Sequence, residues 1–286
     1  HQFSNDYGAV QDEELNRYIA EVGENMALKT HRPDMPYNYK ALNATYVNAY
    51  TFPAGSMGIT RGILLEMDNE DELAALLGHE LGHVNARHSA ERAGRGMIAQ
   101  LAVMGATIAA SGSEDYRDYT KYIQLGSTLG ASALLSKYSR DNEREADALG
   151  MHYMVEGGHS PEGMVGLMEM LQSQSKHKPD MIQAMFSSHP MSDERYATAV
   201  QRKNDNYVLQ SKRGVKKERY MDTTASLRRI KPAIEKMQEG STLMAKKQYS
   251  EADPAYTSAL KKAPEDYAGL VMMAKCQMAQ KNHDSA

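Results

Sequence analysis

The chain has 286 residues, 41% of them hydrophobic and 24% charged, which is typical of a globular protein with one large domain or two smaller ones. A net charge of −4 gives no support to nucleic-acid binding, since proteins that bind nucleic acids carry an excess of basic residues. The one cysteine, Cys276, excludes an intrachain disulfide and a zinc site built from cysteines, and it leaves the compartment open.

Two stretches near the N-terminus predict a helix followed by strands. In residues 10–29, apolar side chains recur at helical spacing, namely Leu15, Tyr18, Ile19, Val22 and Met26. Residues 37–65 predict short strands, because Tyr, Val and Thr there alternate with Pro and Gly. One of these strands contains Met57, Gly58, Ile59 and Thr60. It is predicted to lie either at the sheet edge, where its backbone could pair with an extended substrate, or inside the sheet.

The next stretch contains the pentapeptide HELGH, which begins at His79. Asn69 followed by Glu72 fits a capping box, and leucines at helical spacing predict a helix that runs through the motif. At 100° per residue, His79 and His83 lie one turn apart on one face, so both imidazoles can reach one ion. Glu80 lies 100° away from His79, which suits a general base acting on water. The motif predicts a catalytic zinc site; the alternative is a chance match on a helix that contains histidines.

A catalytic zinc takes three protein ligands, so a third is expected elsewhere in the chain. His88 lies about 140° around the helix from His83 and is interpreted as a surface or core histidine. In the stretch SRDNEREADALG, Glu143 and Asp147 are four residues apart on a predicted helix and can face one ion. Glu143 would bind zinc, and Asp147 would fix the tautomer of a ligand histidine. On spacing alone, a charged face exposed to solvent explains this stretch equally well.

Two further stretches are predicted to have structural roles. Residues 96–112 form the most apolar stretch, but it is shorter than the roughly 20 residues of a membrane span. It predicts a buried helix, with a helix that faces substrate or associates with a membrane surface as the alternative. The basic stretch SKRGVKKER at 211–219 predicts a solvated linker or helix face, with a binding patch as the alternative.

The C-terminal stretch predicts a tetratricopeptide repeat, in which small residues let paired helices approach and aromatic side chains fill the space between them. The positions that fit are Gly240, Tyr249, Ala252, Tyr256, Ala259 and Pro264. An ordinary helical hairpin is the alternative. We therefore expect a zinc metallopeptidase domain at residues 1–222 and a repeat region at 223–286. Because such repeats need neighbours to bury their faces, the natural protein is expected to continue.

Taken together, HELGH, NEREAD about 60 residues later and SSHPMSDER resemble metallopeptidase family 48, which includes the HtpX and CAAX prenyl proteases. The segment NAYTFPAGSMGITRGIL and the repeat tail point to its soluble periplasmic, BepA/LoiP-like branch. The resemblance implies an α+β, predominantly helical zincin-like (gluzincin) domain with a small β-sheet, followed by an all-α tetratricopeptide segment. No membrane span is predicted, unlike in HtpX, so a prenylated substrate is not implied.

The same resemblance implies the roles of individual residues. His79, His83 and Glu143 would bind one Zn²⁺ per chain. Glu80 would act as the general base. His189, in the His-Pro loop, matches a histidine that can occupy the fourth position of zinc in a resting state.

Arg195 matches an arginine of the same loop motif, and either it or His189 could stabilise the oxyanion of the reaction. The implied function is a zinc endopeptidase of the bacterial periplasm that clears misfolded or misassembled envelope proteins, gated by the His-Pro loop. The alternative is a chaperone or assembly factor for outer-membrane proteins that binds partners through its tetratricopeptide tail. The two functions can coexist in one protein.

Overall fold

Helices and one small sheet make up the computed structural model, which describes residues 7–52, 54–92, 94 and 137–280. Residues 96–112, for which a buried helix or one that faces substrate or a membrane surface is predicted, lie outside the described residues. Within the described ranges, no helix is both long enough and apolar enough to cross a membrane.

The elements follow one another along the chain in an order that confirms the predicted helical fold with a small sheet. They are α1 (Glu13–Ala27), β1 (Asn38–Leu42), β2 (Ala49–Thr51), β3 (Ser56–Thr60), α2 (Arg61–Glu66), α3 (Glu70–Asn85), α4 (Arg140–Glu156), α5 (Glu162–His177), α6 (Pro179–Ser188), α7 (Asp193–Asn206), α8 (Glu218–Thr223), α9 (Ala225–Arg229), α10 (Lys231–Ala245), α11 (Tyr249–Lys262) and α12 (Tyr267–Ala279). Helix α1 buries the five apolar side chains that predicted it.

The sheet has the strand order β1–β3–β2, with β3 parallel to β1 and antiparallel to β2. Both sides of β3 are therefore hydrogen-bonded, and the predicted edge strand at Met57, Gly58, Ile59 and Thr60 is wrong. The alternative, an internal strand, is confirmed. Gly58 lies close to the neighbouring strand: a Cβ added to it would lie 2.6 Å from a side-chain carbon of Leu42 on β1. An extended substrate finds no free edge on β3.

Helix α3 lies at the centre of the fold, packed against α1, β2, α4 and α5. It begins as predicted at Asn69, whose side-chain oxygen accepts a hydrogen bond from the Glu72 amide at 3.0 Å. Every residue from 70 to 84 is buried, including the charged ones, so the helix that carries HELGH is enclosed on all sides.

Helices α3 and α4 touch through their backbones. A Cβ added to Gly82 would lie 2.7 Å from the carbonyl oxygen of Ala146, and one added to Gly78 would lie 2.7 Å from that of Gly150. Because real Cβ atoms do not come so close to a backbone oxygen, both positions of α3 require glycine. This approach brings the side chains of α4 to the histidines of α3.

The basic stretch 211–219 is exposed as predicted, yet it is hydrogen-bonded to the core. The guanidinium of Arg213 donates to the carbonyl oxygens of Val155 and His159 at 2.7 and 2.9 Å. The Lys216 carbonyl accepts a hydrogen bond from the Glu70 amide, the first residue of α3, at 2.9 Å. The Lys216 amide in turn donates to the Asp71 carboxylate at 2.9 Å. The chain therefore passes directly over the N-terminus of α3 on its way to the tail.

Helices α10, α11 and α12 of the tail enclose a small apolar cluster of their own around Met237 and Tyr256. Gly240 on α10 faces the Tyr256 ring, and a Cβ there would lie 2.6 Å from a ring carbon. The predicted pairing of a small residue with an aromatic one is thus present between α10 and α11.

The tail is joined to the rest of the molecule by a buried ion pair. The guanidinium of Arg61, at the start of α2, donates to both carboxylate oxygens of Asp266 at 2.5 and 3.0 Å. The two side chains are 3% and 7% exposed. Beside them, the side-chain amide of Gln238 donates to the Thr45 carbonyl at 2.7 Å.

Candidate metal centre

Four buried side chains converge at the contact between α3 and α4. His79, His83, Glu143 and His189 each offer a ligand atom, and these atoms lie within 4.8 Å of one another. Nε2 of His79 lies 3.0 Å from Nε2 of His83 and 3.3 Å from Nδ1 of His189. An oxygen of Glu143 lies 3.3 Å from His83 Nε2 and 3.2 Å from His189 Nδ1. A tetrahedral ion with bonds of about 2.0–2.1 Å separates its ligands by roughly 3.3 Å, so this spacing fits such an ion.

The two histidines on α3 turn their Nε2 atoms toward each other, around a place that a cation can occupy. His79 donates from Nδ1 to the Asp147 carboxylate at 2.9 Å. His83 shares a hydrogen bond of 2.9 Å between its Nδ1 and Nδ1 of His88. When both rings are neutral and carry their hydrogen on Nδ1, each Nε2 atom presents a lone pair to the other at 3.0 Å. Two lone pairs repel at that distance unless a cation lies between them, and a proton or a metal ion can fill that place.

Arg195, on α7, orients the two carboxylates of α4. It donates to both oxygens of Asp147 at 2.7 Å and lies 2.7 Å from Glu143. Burial raises the pKa of Asp147, but the charge of Arg195 and its hydrogen bonds lower it below its ordinary value. Arg195 also donates to the Pro190 carbonyl at 2.9 Å and so ties the His-Pro loop to the site. These contacts hold Asp147, Glu143 and the His-Pro loop in place around the candidate metal position.

Burial would raise the pKa of Glu143 as well, but its neighbours reverse that effect. The charge of His189 and the close contacts of His189 and His83 with the carboxylate hold the pKa of Glu143 far below its ordinary value. The group is therefore an anion, which is the state that binds a metal.

Glu80 is held close to the cluster without taking part in it. Both of its carboxylate oxygens are buried and have no hydrogen-bond partner among the described residues. Nε2 of His189 lies 3.7 Å from a carboxylate oxygen of Glu80. Burial raises the pKa of Glu80, and the positive charges of His189 and His79 oppose that rise. A buried carboxylate with raised pKa and free oxygens is suited to accept a proton.

The structure brings together nearly all of the site residues predicted from the sequence. The exception is the group Met57, Gly58, Ile59 and Thr60, which is enclosed in the sheet. The residues that meet at the centre are His79, Glu80, His83, Glu143, Asp147, His189 and Arg195.

Sequence reasoning missed two residues that touch His83. His88 is 2% exposed and bonded to it, whereas the helical angle placed it elsewhere. The reason is that α3 ends at Asn85 and Arg87 adopts a left-handed φ of 58°, so the angle of 100° per residue no longer applies at His88. Tyr138 stacks on the His83 ring with centroids 3.8 Å apart. Its position directly before SRDNEREAD was the available signal.

Comparison with known proteins gives the family. The model of Peptidase family M48 matches residues 13–203, and a tetratricopeptide repeat model matches residues 243–286. The second match favours a repeat over an ordinary helical hairpin.

Several curated relatives are named as proteases. Metalloprotease YcaL of Escherichia coli K12 is 34% identical over 187 residues, which are 65% of this chain and 69% of YcaL. Metalloprotease LoiP of the same organism is 31% identical over 169 residues, or 59% of this chain and 64% of LoiP. The beta-barrel assembly-enhancing protease of Yersinia pestis is 28% identical over 202 residues, or 68% of this chain but only 40% of that protein. The resemblance seen in the motifs is thereby confirmed: the chain belongs to peptidase family M48 and is a metallopeptidase.

Proposed function

We propose that the protein is a zinc-dependent endopeptidase that hydrolyses misfolded or misassembled envelope proteins in the bacterial periplasm. The observation that carries the zinc assignment is the pair of imidazole Nε2 atoms 3.0 Å apart beside the carboxylate of Glu143. Two nitrogens and one carboxylate at tetrahedral spacing are a donor set typical of catalytic zinc. Support for the substrate and the compartment comes from relatives whose names refer to β-barrel assembly.

Three side chains, His79, His83 and Glu143, would hold the ion. When bound, zinc lowers the pKa of water to about 7 and polarises a carbonyl group. Glu80 would take the proton of the attacking water and pass it to the leaving amide nitrogen, since its oxygens are free and its pKa is raised. Arg195 would keep Glu143 in place and has its donors engaged, so we assign it to positioning and not to stabilisation of the oxyanion.

His189 would also gate the enzyme. Its Nδ1 lies 3.3 Å from His79 and 3.2 Å from Glu143, the distances expected of a fourth zinc ligand. A histidine there takes the position that water needs for the reaction. The loop that carries it would move away when substrate arrives, which requires the hydrogen bond from Arg195 to the Pro190 carbonyl to open.

The experiment is cleavage of labelled unfolded casein by the purified protein. We expect cleavage that a chelator stops and added zinc restores. Glu80→Gln should bind about one zinc per chain and lose about 10²–10⁴-fold in rate, the usual contribution of a general base. Glu156→Gln, an exposed glutamate at the end of α4, is the matched control and should cleave normally. Full activity of Glu80→Gln, or loss of its metal, would show that the assigned role is wrong.

A second candidate is a chaperone or assembly factor that acts by binding. It is favoured by the tetratricopeptide match at residues 243–286 and by exposed apolar side chains on α12, namely Tyr267, Leu270 and Met278. Under this proposal, Glu80→Gln would still prevent aggregation of an unfolded outer-membrane protein. If the wild type prevents aggregation but Glu80→Gln protects no better than buffer, proteolysis accounts for the effect.

A further inference from the structure

A chain of hydrogen bonds leads from the metal site to the protein surface through His88. Nδ1 of His88 lies 2.9 Å from Nδ1 of His83, and Nε2 of His88 lies 3.2 Å from a carboxylate oxygen of Glu145. The His88 side chain is 2% exposed, whereas that of Glu145 is 59% exposed. A buried imidazole thus connects a metal-facing histidine to a carboxylate at the surface.

The hydrogen atoms in this chain can be placed from the surface inward. An ionised carboxylate only accepts hydrogen bonds, so Nε2 of His88 carries the proton that Glu145 accepts. In a neutral imidazole the other nitrogen is then an acceptor, and Nδ1 of His88 accepts a hydrogen bond from Nδ1 of His83. With its proton on Nδ1, His83 has its lone pair on Nε2, which is the atom that faces His79 and Glu143.

Two neighbouring features hold His88 in this orientation. Arg87 has a φ of 58°, and this left-handed turn at the end of α3 carries the next residue back toward His83. Tyr138 stacks on the His83 ring and lies with its own ring 6.2 Å from that of His88. The two imidazole rings therefore meet edge on, with centroids 5.1 Å apart.

We propose that His88 is a positioning residue for the metal, which with Glu145 fixes the tautomer and orientation of His83. It would do for His83 what Asp147 does for His79. Residues in such places typically change metal affinity 10–100-fold when they are replaced. The inference rests on the metal site proposed above, and it concerns how tightly that site binds rather than the peptide cleavage itself.

The test measures metal binding by the full chain, with a chromophoric chelator as competitor for zinc and with Co²⁺ as a spectroscopic probe. His88→Leu removes the acceptor for His83 and should weaken zinc binding 10–100-fold and change the visible absorption of bound Co²⁺. His88→Asn places a carbonyl oxygen near the position of Nδ1, so it should restore affinity to within about threefold of the wild type. Glu145→Gln should have a smaller effect than His88→Leu, because Glu145 is exposed to water.

His152→Leu, which replaces an exposed histidine of α4, is the matched control and should bind zinc like the wild type. Thermal unfolding of the metal-free proteins shows whether His88→Leu still folds. If it folds and binds zinc and Co²⁺ as the wild type does, the positioning role is wrong while the metal site stands. If His88→Asn is as weak as His88→Leu, shape rather than the hydrogen bond matters, and the proposal fails as well. A wild type that binds no zinc would overturn both this inference and the proposed function.

Discussion

Replacing Asp266 with asparagine should weaken the attachment of the tail to the rest of the molecule. Asparagine caps a helix about as well as aspartate, so the hydrogen bond from the Gly269 amide at 2.8 Å that begins α12 is retained. What is lost is the negative charge opposite Arg61, whose guanidinium is 3% exposed and also lies 3.2 Å from the sulfur of Met237. Breaking a buried ion pair by removing one partner costs about 3–5 kcal/mol. Because the asparagine oxygen can still accept one hydrogen bond, we expect a loss near 3 kcal/mol.

The assay is urea unfolding of the wild type, Asp266→Asn, Arg61→Met and the double variant. The double variant leaves no buried charge without a partner, so its free energy of unfolding should return to within about 1.5 kcal/mol of the wild type. The exposed pair Lys236–Glu239 on α10 supplies the control, since Glu239→Gln should cost no more than about 1 kcal/mol. If Asp266→Asn costs no more than Glu239→Gln, the buried pair does not hold the tail.

Three further predictions concern the site and its supporting helix. Gly82→Ala should force α3 and α4 apart, lower the free energy of unfolding by about 1–3 kcal/mol and reduce zinc affinity; an unchanged affinity in the same competition assay would contradict the backbone contact. His189→Ala should raise basal casein cleavage by freeing the fourth position, whereas loss of activity with zinc retained would place His189 in the chemistry. Burial raises the pKa of Asp71, but hydrogen bonds from His159, Lys216 and Ser160 lower it below its ordinary value. The charge of Asp71 therefore stabilises the fold above about pH 4, and this contribution is lost as the pH falls through the lowered pKa. Asp71→Asn should therefore cost about 2 kcal/mol in urea unfolding at pH 7 and progressively less in acid; a constant difference between the two proteins would refute this.

Local signals in the sequence predicted the elements that depend on local chemistry. Asn69 caps α3 through its side chain as its spacing from Glu72 indicated, and the period of HELGH put His79 and His83 on one face. The third ligand depends on two helices meeting, which periodicity does not report. A signal was present all the same: Gly78 and Gly82 are four residues apart on the face of α3 that meets α4.

Other errors came from contacts between distant parts of the chain. Gly58 lies against the side chain of Leu42 on a neighbouring strand, so it belongs inside the sheet and not at its edge. His88 was misplaced because one left-handed residue, Arg87, ends the helical geometry on which the angle was based. The hydrogen bonds of Lys216 join positions almost 150 residues apart, and nothing in the basic stretch itself indicates them.

The passage of residue 216 across the start of α3 has a mechanical consequence. The carbonyl group there accepts a hydrogen bond from the first backbone amide of the helix that bears HELGH, and the amide group there donates to the carboxylate of the next residue of that helix. At 1.5 Å per residue, His79 lies about 13 Å further along that helix. The helix is therefore fixed at two places along its length, at its first residue by residue 216 and around Gly78 and Gly82 by the backbone of α4.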